Sequence, residues 1–216
     1  MTFSIVACNA DRSQFGVAVA SKYLAVGSVV PAARTGVGAL ATQAWANTAY
    51  RTEGLALLAN GATAQETVST LTGSDAKRPV RQFGVLDAHG GSATYTGEQC
   101  TDWAGGVCGD SYAIQGNILV GERVIATMEQ AWLDSDPAEP LARRLLAVLA
   151  AGDAAGGDNR GRQSAALLVA GDQGGYLDGD GMIVDLRVDD HQAPIPELAR
   201  LLDLHDTLFG KSAKKI

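Results

Sequence analysis

The chain has 216 residues, of which 46% are hydrophobic and 19% charged, with a formal net charge of −7 at pH 7. That is the composition of a folded globular chain able to bury a sizeable core, and its length fits one domain over 1–210 with a flexible tail at 211–216. Net negative charge without a gathered row of Lys or Arg excludes a nucleic-acid partner, and the lack of a bilayer-length apolar stretch or a basic-then-apolar leader excludes membrane insertion.

The first elements read as strands. Phe3, Ile5 and Ala7 alternate with Ser4, Val6 and Cys8 in a short run suited to burial on both faces. The turn at 9–14 leads into a second strand, GVAVAS at 16–21. VGSVV at 26–30 and GVGALATQ at 36–43 read as two more, divided at Pro31. The period then becomes helical. One helix carries Leu55, Leu57 and Leu58 to a stop at Asn60-Gly61, and a second opens on the capping-box pair Thr63 and Glu66 and turns Val68 and Leu71 inward.

Strands return over 80–97, where DAHGG supplies a hairpin turn, and again over 111–121. Two helices follow. The first carries Val124, Ile125, Met128 and Trp132 on one face; the second is expected to start with Asp136 as cap and Pro137 in its first turn, burying Leu141, Leu145 and Leu149. A glycine-rich loop at 156–161 precedes the strands QSAALLVAG and MIVDLRV, and a last helix runs through Leu198, Leu201, Leu202 and Leu208. Blocks of strands and helices in this order predict an α+β fold: a four-layer αββα sandwich of two antiparallel sheets.

Thr2 directly behind the initiator Met1 is the first candidate for chemistry. If Met1 is removed, Thr2 carries a free α-amine beside a hydroxyl, so one residue holds both a nucleophile and a base. With Thr2 at its head, the αββα order resembles the N-terminal nucleophile (Ntn) hydrolases, which include the proteasome β subunits. The stretches MTFSIVA, GVAVASKYLAVGSVVP, GVGALATQAWAN, QGNIL, GGDNRGRQSAALLV and VDLRVDDH, spanning residues 1–191, are similar to a bacterial family catalogued as domain of unknown function 1028. The resemblance implies an Ntn-type sandwich but no substrate. It also implies a homo-oligomer. Where proteasome-type subunits follow the second strand with an aspartate, this chain has Lys22, and Arg34 corresponds to the superfamily's basic partner. Two cations beside Thr2 would favour its alkoxide and depress its amine pKa.

The remaining candidates would bind substrate. Gln43, Trp45 and Asn47 fall where a strand hands over to a helix; backbone N–H groups at 43–45 could receive an oxyanion, while Asn47 or Thr48 could instead cap the helix. Gln115 and Asn117 interrupt an apolar strand with amides that need partners. Asp158, Arg160 and Arg162 on the glycine-rich loop could clamp a substrate carboxylate, or Asp158 could simply pair with Arg160. DGDG at 178–181 reads as a turn, and VDDH at 188–191 as a solvated strand end or ion pair. No cofactor fingerprint or metal-ligand spacing emerges. The three cysteines, Cys8, Cys100 and Cys108, form no CxxC pair, which points to a reducing cytoplasm with Cys8 in the core. Together these features predict an amidohydrolase acting on a small amide or peptide-like molecule. The alternatives are a catalytically idle metabolite-binding protein on the same scaffold, and a pocket performing acid–base chemistry without covalent attack.

Overall fold

The computed structural model describes residues 2–172 and 181–209. Its larger sheet has six antiparallel strands in the order β10 (Met182–Val188), β9 (Ser164–Gly171), β2 (Gln14–Ser21), β1 (Thr2–Cys8), β8 (Tyr112–Leu119), β7 (Trp103–Gly109). The smaller has four antiparallel strands in chain order: β3 (Pro31–Arg34), β4 (Gly38–Ala44), β5 (Arg81–Asp87) and β6 (Ser92–Thr96). The helices are α1 (Ala49–Ala59), α2 (Ala64–Ser74), α3 (Arg123–Leu133), α4 (Leu141–Ala154) and α5 (Pro194–Phe209).

Strand alternation builds the layers. In β1 the odd residues Phe3, Ile5 and Ala7 pack with Met128, Leu145, Leu149 and Leu198 of α3, α4 and α5. The even residues Val6 and Cys8 face the other way, joining Phe15, Val17 and Val19 against Ala39, Ala41 and Leu86 of the smaller sheet. On that sheet's outer side Leu40, Phe83 and Val85 meet Tyr50, Leu58, Val68 and Leu71 of α1 and α2. The result is helices, sheet, sheet, helices, with both sheet faces covered as the apolar strands require. None of the described helices is long and apolar enough to cross a membrane.

The α2 capping box forms as read: Glu66 N–H donates to Thr63 Oγ1, and Thr63 N–H to Glu66. Three local expectations change. VGSVV folds as a 3-10 turn, Val26–Ser28, entered through Ala25 at φ 54°, with Val26 N–H bonded to Ser164 Oγ. The strand begins only at Pro31, on a sheet edge where the missing N–H costs nothing. The helix expected from Asp136 starts instead at Leu141, because Pro140 cannot donate the first hydrogen bond of a helix that began at Pro137. Asp136 Oδ1 closes a turn with Ala138 N–H. Finally, WAGGVCG forms edge strand β7, whose glycines and half-exposed pattern hid it from the sequence reading. The tail at 211–216 and residues 178–180 of DGDG lie outside the described residues.

The β5–β6 turn is tied to α2 by one carboxylate. Buried Asp87 accepts from His89 and Gly91 N–H through Oδ1, and from Ala64 N–H at the start of α2 through Oδ2. Asp87→Ala leaves three N–H groups without partners; we expect a loss of about 3 kcal/mol or more in urea unfolding.

Candidate functional site

Thr2 opens β1, opposite Ser21 on β2 and Asn117 on β8. As an even residue of β1 it faces the smaller sheet, 7% exposed, with Oγ1 3.1 Å from Ser21 Oγ. At this end the space between the sheets is polar. Ser4, Gln43, Gln82, Gln115 and Asn117 are each 0–1% exposed. Each has inward parity on its strand, so apolar neighbours in sequence point outward while these point at one another.

The bonds among them form a closed layer. Gln82 Oε1 accepts from Gln43 Nε2 at 2.9 Å and Asn117 Nδ2 at 2.8 Å, and Gln82 Nε2 donates to Gly116 C=O at 2.7 Å. Ser4 Oγ donates to Gln43 Oε1 at 2.7 Å and accepts from Gln115 Nε2 at 2.6 Å. Gln43 and Asn117 also reach the Thr2 carbonyl, at 3.3 and 3.5 Å. Two carboxamides, Gln43 and Asn117, thus hold the Thr2 carbonyl, and Gln82 ties those two together. Gln115 fits because residue 84 is glycine: a Cβ there would lie 2.1 Å from Gln115 Oε1.

The cations expected beside Thr2 are elsewhere. Alternation gives Ser21 the inward place, so Lys22 points outward, its Nζ donating to Arg162 C=O at 3.2 Å. Arg34 pairs with Gly38 at the far end of β4 from Gln43, on an exposed strand end. Neither touches the threonine hydroxyl.

Asp158 does lie at the Thr2 end. Buried at 8%, it accepts from Lys22 N–H at 2.7 Å and bridges to Leu119, so it closes over both neighbours of β1. Arg160 lies 3.6 Å from its Oδ1, the local pairing weighed above, and Arg162 instead makes an ion pair with Asp153 of α4 at 2.7 Å. The loop clamp is therefore divided between two carboxylates. The N-cap of α1 is Thr48, whose side chain makes no cap bond; Asn47, one residue before it, accepts from Ala49 N–H through Oδ1 at 3.2 Å. Trp45 is 70% exposed, and its N–H is already given to Val80 C=O, which removes it as an oxyanion donor. Tyr23, Leu24 and Val120, also exposed, follow the ends of β2 and β8 on the same side, making an apolar rim.

Alternation alone could have found Ser21, Ser4 and Gln82, since each is a polar residue at inward parity in an apolar strand. Two backbone outliers adjoin the amides: Ala44 at φ 62° beside Gln43, and Ile118 at φ 53° beside Asn117. For a β-branched residue this conformation is costly, about 1–3 kcal/mol, and needs support from its surroundings. Among the described residues no group of three or more His, Cys, Asp or Glu is placed to hold a metal ion.

Arg81 fixes the strand-to-helix crossing, donating to Trp45 C=O and, at 2.8 Å, to Asp75. Its hydrogen bond holds the Asp75 carboxyl at about 2, below the ordinary 3.8. Burial, followed by the Asp75 contact, pushes the Tyr50 hydroxyl up.

Two outcomes follow from this geometry. Gln82→Leu removes the acceptor shared by Gln43 and Asn117 and the donor to Gly116 C=O, and we expect it to cost about 2–4 kcal/mol in chemical denaturation. Because the folded Asp75 pKa is depressed, its contribution is fully present above 3.8 and is lost as pH falls toward about 2. Asp75→Asn should therefore destabilise at pH 7, with the gap from wild type closing across that interval in melts at stepped pH.

The family model described as a family of unknown function, DUF1028, matches residues 2–198. The crystal structure of a protein of that family from Silicibacter pomeroyi is similar to this chain at 33% identity with a TM-score of 0.86, over 95% of this chain and 89% of that one. No curated protein matches. With nearly its whole length matched and the fold shared, the chain belongs to the DUF1028 family.

Proposed function

We propose that this chain is an amidohydrolase of the N-terminal-nucleophile type, with Thr2 attacking a small amide or peptide-like substrate once Met1 has been removed. The observation that carries the reading is the Thr2 hydroxyl, turned between the sheets at the head of the central strand, 3.1 Å from the Ser21 hydroxyl. A free α-amine with a pKa near ~8 is partly neutral at physiological pH and takes the hydroxyl proton. The oxygen bonds to the carbonyl carbon; collapse breaks the C–N bond, and the ammonium returns its proton to the departing amine. Water then cleaves the threonyl ester, with the same amine as base.

The surroundings support that division of labour. Ser21 can pass a hydrogen bond to the developing alkoxide, and the carboxamide layer fixes the Thr2 backbone without adding charge. Asp158 lies at the same end of the sheet, its carboxylate accepting from Lys22 N–H as it closes over the strands beside β1. The apolar rim of Tyr23, Leu24, Trp45 and Val120 favours an acyl group with apolar surface. Left-handed backbone at Ala44 and Ile118 fits a site where strain is retained for function.

A second reading, an idle binding protein, draws on the outward turn of Lys22 and the distance of Arg34, which leave the hydroxyl without a cation. The two readings separate by experiment. Intact mass should show a chain short by one methionine. Against a panel of small amides, lactams and dipeptides, Thr2→Ala should lose turnover on the order of 10³-fold or more while Thr2→Ser retains part of it. Uniform retention of Met1, or wild-type turnover by Thr2→Ala, favours the binder.

A further inference from the structure

The two sheets are unequal: six strands face four. Strand β3 is the edge of the smaller sheet and packs near β2 and β9, so the inner face of β9 and β10 extends past it. A stacked pair would cover such an overhang with apolar side chains. Here β10 alternates: Val184 and Val188 join the helix-side core, whereas Asp185 and Arg187 take the opposite face, paired with Leu168 and Ala166. That face is the inner one, since Ala166 belongs to the inter-sheet core and a Cβ on Gly27 would lie 2.8 Å from Arg187 Cγ.

The overhang forms a cleft of about 660 Å³, within the size range of small-molecule sites. Its walls are β3, the start of α1 and the inner face of β9 and β10. Arg34, Arg51 and Arg187 line it against the one carboxylate of Asp185, with the hydroxyls of Thr48 and Thr52 beside them. This is a local cationic excess in a chain of net charge −7. The guanidiniums are not equivalent. Arg187 is committed to Asp189 at 2.9 Å. Arg51 is half-buried and anchored by one nitrogen, which donates to Ser28 C=O at 2.6 Å, so its remaining N–H groups are held in place. Arg34 makes no side-chain hydrogen bond or ion pair among the described residues.

We propose that this cleft is a binding site for a small multivalent anion, a carboxylate- or phosphate-bearing metabolite, received in a fork by Arg51 and Arg34 and separate from the Thr2 end. Guanidinium is the group that pairs bidentately with either oxyanion. Asp185 sets the specificity by repelling ligands that lack enough negative charge to outweigh it.

The test is isothermal titration calorimetry of the full chain, at low salt, with citrate and with inorganic pyrophosphate as probes. At least one should bind saturably at one site per chain, and the tighter of the two identifies carboxylate or phosphate as the preferred oxyanion. Arg34→Gln and Arg51→Gln should each weaken binding about tenfold or more. Asp185→Asn should tighten it, and Arg200→Gln on the outer helix α5 should leave it unchanged. Arg34 is exposed and its side chain bonds no other described residue, so its variant tests the site with the fold left in place. Absence of saturable binding for both probes, full affinity in Arg34→Gln, or an equal loss in Arg200→Gln overturns the proposal.

Discussion

A β-sandwich is held together by the dry contact of two inner faces, and in this protein part of that contact is made of carboxamides. Gln43, Gln82, Gln115 and Asn117 lie where valine or leucine would ordinarily be; Gln43, Gln82 and Asn117 find partners across the gap, while Gln115 donates to Ser4 on the neighbouring strand and its buried Oε1 has no hydrogen-bond partner among the described residues. Apolar side chains could slide against one another at little cost. A carboxamide layer cannot, since a shift of one residue would break several bonds together and turn the amides to the opposite faces. The layer therefore fixes the register of β1 between β2 and β8, and with it the position of Thr2.

What the layer lacks is charge. Its members are neutral donors and acceptors, and the nearby ionised groups are turned aside: Lys22 toward the Arg162 carbonyl, Arg162 toward Asp153, Asp158 toward backbone N–H groups. On the proposed chemistry this matters. An α-amine near a guanidinium would lose its proton more readily, but it would also lose much of its strength as a base. With a neutral, rigid surround, it falls to Ser21 and the fixed geometry to do what a cation does elsewhere.

How far the sequence revealed this depends on the kind of signal. Apolar alternation identified β1, β2, β4, β5 and β8, and the Thr63–Glu66 capping box located α2, because both patterns are local. β7 escaped: an edge strand rich in glycine buries too little to leave a period. The α4 start was misread because Pro137 invites a helix that Pro140, three residues on, forbids. At the site, Gln115 and Asn117 stand out as amides in an apolar strand and Gln43 as a residue at a strand-to-helix crossing, but the meeting of Asn117 with Gln82 is made across sheets and has no local sign. Lys22 and Arg34 were placed beside Thr2 by resemblance to other chains. Strand parity contradicts the first, and the length of β4 the second.

The displacement of Arg34 and the position of Thr2 share one cause. A sheet of four strands can cover only part of a sheet of six, and the covered part is centred on β1, β2 and β8. Within it polar side chains must satisfy one another, which yields the neutral layer around Thr2. Beyond it, over β10, Asp185 and Arg187 meet solvent, and charge can be held without the penalty of full burial. The same inward parity thus places glutamine under the smaller sheet and Asp185 and Arg187 past its edge. The scaffold separates a water-poor region around Thr2 from a water-accessible one at Asp185 and Arg187, and strand number draws the boundary between them.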